Sequence, residues 1–252
     1  MISDKYRTKD LYYCHTSGSS GKSLEFYTTS ENIQFYWAVI WRNRMNFGLN
    51  LSDLHLNFTG QLIVPINVSK PPYWRFNKPF NQYLVNMQHI SKDKINDIVN
   101  MINESDFQYY IGYPSIMSSF AVMARDMNII PESSPRFIFT GAEKLYENQR
   151  VALNDVFPHA RIFENYGFSE HCGNASKCSN NNYHEDFEFG HLELDEIVGV
   201  DNGLRGQLLA TGFINLGMPF IRYKIGDTAT FENESKCGCG LKNQVIKDID
   251  GR

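Results

Sequence analysis

An α/β fold is predicted, with a mostly parallel, helix-flanked sheet followed by a β-rich subdomain. Two patterns in the 252 residues predict it. Between about residues 54 and 163, strand-like and helix-like segments alternate, an order that packs into parallel strands covered by helices. From Tyr183 onward no helical period is left, and short apolar strands follow one another with Gly, Asn and Pro between them. With 42% hydrophobic residues and only 9 prolines, the chain has the apolar surface for a sizeable core. The predicted division is 1–182 for the α/β part and 183–252 for the β-rich subdomain.

Taken in order, the first element is a run of hydroxyls and glycines, Thr16-Ser17-Gly18-Ser19-Ser20-Gly21-Lys22, leading into the alternating strand Leu24–Thr29. Ser30 is a candidate cap for a helix from Glu31 to about Asn46, with Phe35, Tyr36, Val39 and Ile40 on one face. Leu54–Phe58 alternates like a half-buried strand, and Gln61–Pro65 is a second short apolar segment. Pro71–Phe80 reads as a loop whose aromatics either line a pocket or pack on the surface. Ser91 begins an amphipathic helix with Ile95, Ile98, Val99 and Ile102 at helical spacing. Tyr109–Tyr113 is a strand broken by Pro114, and Ser115 starts the next helix. Arg136–Thr140, a helix over Tyr146–Phe157 and the strand Ala160–Phe163 complete the alternation. The β-rich part has strands at His191–Leu194, Gly206–Thr211 and Phe220–Tyr223.

Residues 16–22 read either as a surface turn or as a phosphate loop. Glycines let successive N–H groups point to one spot, and hydroxyls with a lysine add donors for a polyanion. The Walker loop is excluded: it needs a glycine where Thr16 stands, and it leads into a helix rather than a strand. The strands before Gly141-Ala142-Glu143 and Tyr166-Gly167-Phe168-Ser169-Glu170 both end in polar or glycine residues, and ligands of open α/β sheets bind at such carboxyl ends.

A net charge of −4 and a pI near 6.0 give no basic field for nucleic acid or an acidic membrane, so neither is an expected partner. No apolar run approaches the ~20 residues of a membrane span, and no signal-peptide core follows Met1–Lys5, so the expected location is the cytoplasm. The five cysteines, Cys14, Cys172, Cys178, Cys237 and Cys239, favour metal binding or free thiols over a disulfide framework. Cys237-Gly238-Cys239-Gly240 is a knuckle able to give two thiolates to one metal, and Cys178 with His184 would complete a closed Cys₃His zinc site of structural type. His171 or Cys172 is an alternative ligand, and Cys14 stands apart.

In their order along the chain, Thr16–Gly21, Gly141-Ala142-Glu143, Tyr166-Gly167-Phe168-Ser169-Glu170, Arg222-Tyr223-Lys224-Ile225-Gly226-Asp227 and Gly251-Arg252 resemble the motifs of the adenylate-forming superfamily of acyl- and aryl-CoA ligases. Pro71-Pro72-Tyr73-Trp74-Arg75 and Gly112-Tyr113-Pro114-Ser115 are similar to its phenylacetate-CoA ligase-like branch, which includes proteins of capsular polysaccharide biosynthesis. The resemblance implies ATP-dependent activation of a small carboxylic acid as the acyl-adenylate, then transfer to the thiol of CoA or to an amine, in surface polysaccharide biosynthesis or aryl-acid activation. It implies that Thr16, Ser17, Gly18, Ser19, Ser20, Gly21 and Lys22 hold the β- and γ-phosphates of ATP. Gly141, Ala142 and Glu143 would flank adenine, with Tyr166 stacked on it beside Gly167. Ser169, where threonine is commoner, would meet the α-phosphate, Glu170 would hold Mg²⁺, Asp227 the ribose hydroxyls, and Arg252 would sit at a hinge near the ribose. For Glu170 a solvated loop carboxylate, and for Asp227 a turn cap, are the plainer alternatives. His89 is either a substrate-gating residue or a packed histidine. A smaller mobile domain, carrying the adenylation lysine, is expected beyond the hinge or on a separate polypeptide. Without it, the chain is either the ATP-binding core of a ligase or a non-catalytic remnant that keeps the nucleotide cleft.

Overall fold

The computed structural model describes residues 2–16, 23–233 and 236–251. Ser17–Lys22 of the Ser/Gly run and Arg252 lie outside them. The chain forms two compact units, one built from 1–47 and 165–252, the other from 48–164. The boundary expected at residue 182 falls inside the first of these.

In the first unit, β1 (Tyr12–His15) and β2 (Glu25–Thr28) make an antiparallel hairpin around residues 16–24. Helix α1 (Ser30–Asn46) follows. Its cap is Thr29 rather than Ser30: the Thr29 hydroxyl accepts the Asn32 amide at 3.1 Å, as an N-cap must to satisfy an orphan donor of the first turn. Val39 and Ile40 are buried, whereas Phe35 and Tyr36 are half-buried.

The second unit opens with β3 (His55–Thr59), then β4 (Trp74–Asn77) and β5 (Gln82–Asn86). Helix α2 (Ile95–Asn103), β6 (Tyr109–Gly112), α3 (Pro114–Asp126), β7 (Phe137–Gly141) and α4 (Glu147–Val156) come next. The strand order is β7–β6–β3–β5–β4, parallel except for the antiparallel edge pair β5/β4. This is the predicted helix-flanked parallel sheet. Ile95, Ile98, Val99 and Ile102 are buried, as their spacing requires. Helix α2 nevertheless begins at Ile95, because the Ser91 carbonyl closes a turn with Lys94 and Ile95 while its hydroxyl turns to Asp93. Pro114 is itself the first residue of α3, where a missing N–H costs nothing. Gln61–Pro65 forms no strand, and the expected loop at 71–80 contains β4. The core centres on Phe58, Tyr110, Phe120 and Phe157, whose ring centroids lie 5.2–6.3 Å apart.

Strand β8 (Arg161–Gly167) crosses the boundary in sequence, and its last residues open the sheet of the first unit with β9 (Asn174–Lys177) and β10 (Tyr183–Glu185). That sheet continues with β11 (Gly190–Val200), β12 (Gly203–Gly212), β13 (Tyr223–Glu232) and β14 (Val245–Asp250). Its order is β8–β9–β10–β14–β13–β12–β11, antiparallel throughout. Phe220–Arg222 precede the ladder, which starts at Tyr223. Phe26 of β2 packs with Ala175, Leu208, Phe220, Ile225 and Ile246 in one core, which is why the N-terminal hairpin groups with the β-rich part.

Gly112 shows how tightly the parallel sheet is built. A Cβ there would lie 2.7 Å from the Phe58 carbonyl oxygen of the neighbouring strand. Gly112→Ala is expected to cost about 1–3 kcal/mol in urea unfolding. Gly199→Ala, where a Cβ meets nothing within 4 Å, should leave the midpoint close to wild type.

Candidate functional site

The first unit gathers most of the expected site residues. Tyr166 on β8 donates its hydroxyl to Asp227 Oδ2 on β13 at 2.8 Å, and burial together with the Asp227 carboxylate raises the phenol above its ordinary pKa. Tyr223, at the start of β13, donates in turn to Glu170 Oε1 at 2.6 Å. Glu170 is buried and the preceding Ser169 is exposed.

Asp227 owes its placement to a break in the β12/β13 ladder. Leu209 pairs with Lys224 and Gln207 with Thr228, so Ile225, Gly226 and Asp227 stand against Leu208 alone. Gly226 has φ +92°, a conformation open to glycine at little cost. Gly167 is a glycine for a different reason: a Cβ there would come within 2.8 Å of Asn174 Oδ1.

Under Tyr166 lies a polar network. Asn165 and Asn174 exchange amide hydrogen bonds at 3.1 and 3.3 Å, and Ser176 Oγ donates to Asn165 Oδ1 at 2.9 Å. Asp186 accepts from Asn174 and Ser176 and pairs with Arg42 of α1, which also reaches Glu188. Burial raises the Asp186 pKa against the opposing pull of Asn174, Arg42 and Ser176. Asn174 is fully buried and Asp186 nearly so, and satisfying such groups fixes one arrangement of β8 and β9.

Thr16 closes the hairpin mouth. Its amide donates to the Leu24 carbonyl, its hydroxyl accepts the Leu24 amide at 2.9 Å, and its carbonyl accepts the Ser23 hydroxyl. The expected phosphate ligands Ser17–Lys22 lie outside the described residues, as does Arg252.

Cys178, His184, Cys237 and Cys239 come together as the sequence predicts, with all four ligand atoms within 4.8 Å of one another. Cys178 Sγ is 3.7 Å from Cys237 Sγ, and His184 Nε2 is 3.4 Å from Cys239 Sγ. Burial raises the Cys237 thiol, but hydrogen bonds from Asn182 and the Cys239 backbone outweigh it and leave its pKa at about 6. Three sulfurs and an imidazole in this proximity suit a soft or borderline metal. His171 and Cys172, the alternative ligands, are not in the group.

In the second unit, Ala142 has φ +64° just after β7, and Glu143 turns its carboxylate onto the N-terminus of α3, accepting the Ser115 amide at 3.1 Å. This contact caps the helix. His89 is fully buried, with Nδ1 at 2.8 Å from Asn86 Oδ1 and its ring stacked on Tyr73. Burial lowers its pKa, and Lys94 adds to the effect.

No protein-family model matches the chain. Its fold is shared by an open conformation of 2-hydroxyisobutyryl-CoA ligase in complex with 2-HIB-AMP and CoA. The TM-score is 0.70 and the identity 14%, over 98% of this chain and 54% of that one. A malonyl-CoA ligase ternary product complex with methylmalonyl-CoA and AMP bound aligns at TM-score 0.56 and 13% identity, over 95% of this chain and 52% of the other. The chain therefore has the fold of these CoA ligases, the fold that the resemblance read from the ordered motifs implies. A relative in sequence is Protein CapK of Staphylococcus aureus, 30% identical over a 257-position alignment that covers 99% of this chain and 55% of CapK. The chain spans about half the length of each of these proteins. Among the described residues, no helix is long and apolar enough to cross a membrane.

Tyr223 and the polar network were not singled out by sequence reasoning. Tyr223 lies within a quoted motif, but only the fold shows that it faces Glu170. His171, at φ +49°, stacks on Tyr36 with centroids 4.1 Å apart, and burial lowers its pKa to about 4. The folded state thus holds His171 neutral where the unfolded chain, near 6.5, takes up a proton. Its contribution to stability is complete above pH 6.5 and is lost as pH falls toward 4. Urea midpoints of wild type should decline through this window more steeply than those of His171→Asn, which tolerates the backbone and does not titrate.

Proposed function

We propose that this chain is the ATP-binding core of a ligase that activates a small carboxylic acid as its adenylate and passes the acyl group to the thiol of CoA or to an amine. The observation that supports this most directly lies in one folded unit: Tyr166 bonds Asp227 at 2.8 Å, and Tyr223, four residues before Asp227 on the same strand, bonds Glu170 at 2.6 Å. The 2-hydroxyisobutyryl-CoA ligase that shares the fold binds 2-HIB-AMP and CoA. The likeness to CapK favours a role in surface polysaccharide biosynthesis, with aryl-acid activation as the alternative setting.

In the proposed reaction a carboxylate oxygen attacks the α-phosphorus of ATP and the bond to pyrophosphate breaks. A thiol or amine then adds to the acyl carbonyl and AMP leaves. No enzyme nucleophile takes part, so the protein's work is positioning and charge stabilisation. Residues 16–22 cradle the β- and γ-phosphates, Ser169 offers its exposed hydroxyl to the α-phosphate, and Asp227 accepts the ribose hydroxyls. Tyr166 stacks on adenine beside Gly167, with Arg252 near the ribose. A buried carboxylate fits a hard divalent cation, and Glu170 would hold Mg²⁺, which when bound neutralises phosphate oxygens.

Calorimetric titration of ATP with Mg²⁺ tests the reading. Wild type should bind, and Asp227→Ala and Glu170→Gln should each weaken binding about tenfold or more. If neither ATP nor AMP binds the folded wild type, the chain lacks a working nucleotide site and the ligase-core reading fails.

The cluster of Cys178, His184, Cys237 and Cys239 is proposed as a structural zinc site, supported by the mutual approach of its four ligand atoms. Because these ligands come from the end of β9, from β10 and from the β13–β14 connection, zinc would tie that connection to the sheet. Elemental analysis should find about one equivalent of zinc per chain, lost in Cys178→Ser and Cys239→Ser. A metal-free, fully folded wild type would refute it.

A further inference from the structure

Glu170 is 6% exposed, and a carboxylate so far withdrawn from water is ordinarily matched by a cation, a metal or several donors. Among the described residues, its side-chain hydrogen-bond partner is a neutral one, the Tyr223 hydroxyl at 2.6 Å. The bases that flank Tyr223 in sequence are directed elsewhere. Arg222, at φ +48° just before β13, reaches Glu193 at 3.6 Å. Lys224, one step along the strand and so on its opposite face, reaches Asp195 at 3.1 Å and Glu196 at 3.4 Å. The acids of β11 and its bulge thereby pair with both basic neighbours of Tyr223.

Tyr223 is itself held from two sides. The Arg222 amide donates to Thr211 Oγ1 at 2.9 Å, which fixes the backbone entering Tyr223, and the phenol ring packs edge-on against Phe220 with centroids 5.0 Å apart. A firmly placed neutral donor thus meets one oxygen of a buried carboxylate.

We propose that Tyr223 is a positioning residue for a divalent cation at Glu170: its hydroxyl locks Oε1 and presents Oε2 to the metal. The inference rests on the reading of Glu170 as the cation ligand of an ATP site. A lysine or arginine in this place would orient the carboxylate equally well, but would cancel the charge that draws the metal. A phenol orients and leaves the charge intact. Mg²⁺ demands close to octahedral geometry, so a ligand free to rotate about its last torsion binds it less well than one already aimed.

The test uses Mn²⁺ as a spectroscopically visible stand-in, titrated by electron paramagnetic resonance into the full chain saturated with ATP. Wild type, Tyr223→Phe and Glu170→Gln are compared, with ATP affinity measured separately in EDTA. Tyr223→Phe is expected to keep the Mn²⁺ site with affinity lowered about tenfold, the lower end of what outer-shell partners of a metal ligand contribute. Its metal-free ATP affinity should stay unchanged, which a general loosening of the fold would not allow. Glu170→Gln should lose the site. Wild-type Mn²⁺ affinity in Tyr223→Phe, beside a loss in Glu170→Gln, overturns the role of Tyr223 and leaves the ATP-site reading standing. Undiminished Mn²⁺ binding in Glu170→Gln overturns that reading and this inference together. If Tyr223→Phe does not fold, Thr211→Val, which removes the acceptor fixing the Arg222 amide, should lower Mn²⁺ affinity in the same direction by about threefold; no change there overturns the proposal.

Discussion

Two tyrosine–carboxylate hydrogen bonds, Tyr166 to Asp227 and Tyr223 to Glu170, join parts of the first unit that no ladder contact joins. Strands β8 and β13 are not neighbours: β9, β10 and β14 lie between them. In a flat sheet four steps of about 4.8 Å would hold the two strands ~19 Å apart, beyond the reach of a tyrosine and an aspartate combined. The Tyr166–Asp227 bond therefore exists only because the sheet curls, as strands with a right-handed twist do when they enclose a core. Ala175, Tyr183, Leu208, Ile225 and Ile246 are what it curls around. Burial of apolar side chains from the middle strands brings the outer polar groups together, so packing and site geometry have a common cause.

The polar layer beneath β8 works in the same direction. Asn165, Asn174, Ser176 and Asp186 supply each other's hydrogen bonds, and a one-residue slip of β9 would leave several buried groups unpaired at once. An apolar layer would have allowed alternatives. Here the register that places Tyr166 opposite Ala175 has few competitors.

Local signals in the sequence carried much of this. The period of Ile95, Ile98, Val99 and Ile102 gave the buried face of α2, the strand–helix alternation gave the parallel sheet, and the spacing of two cysteines with an upstream Cys and His gave the cluster at 178, 184, 237 and 239. What stayed hidden is long-range or positional. Trp74–Asn77 becomes a strand because β5 offers it a partner, and its proline-rich entry reads locally as a loop. The N-terminal hairpin joins the β-rich unit through Phe26, a contact nearly two hundred residues away from Phe220 that no window reveals. Glu143 and Thr16 illustrate a third limit: the motif marks the residue, but the side chain is engaged in capping a helix or closing a hairpin, which depends on the exact turn geometry.

The bulge at Ile225–Asp227 bears on how this chain can change over evolutionary time. Strand side chains alternate with a period of two, so the extra residues opposite Leu208 set which face every later position of β13 presents. Point substitutions along the strand alter one contact each. Loss of a single residue here would invert the strand from Thr228 onward, sending Ala229 out of the core and its polar neighbours into it. The segment is therefore open to drift in spelling but closed to drift in length, and insertions and deletions among its relatives should be found in the turns on either side.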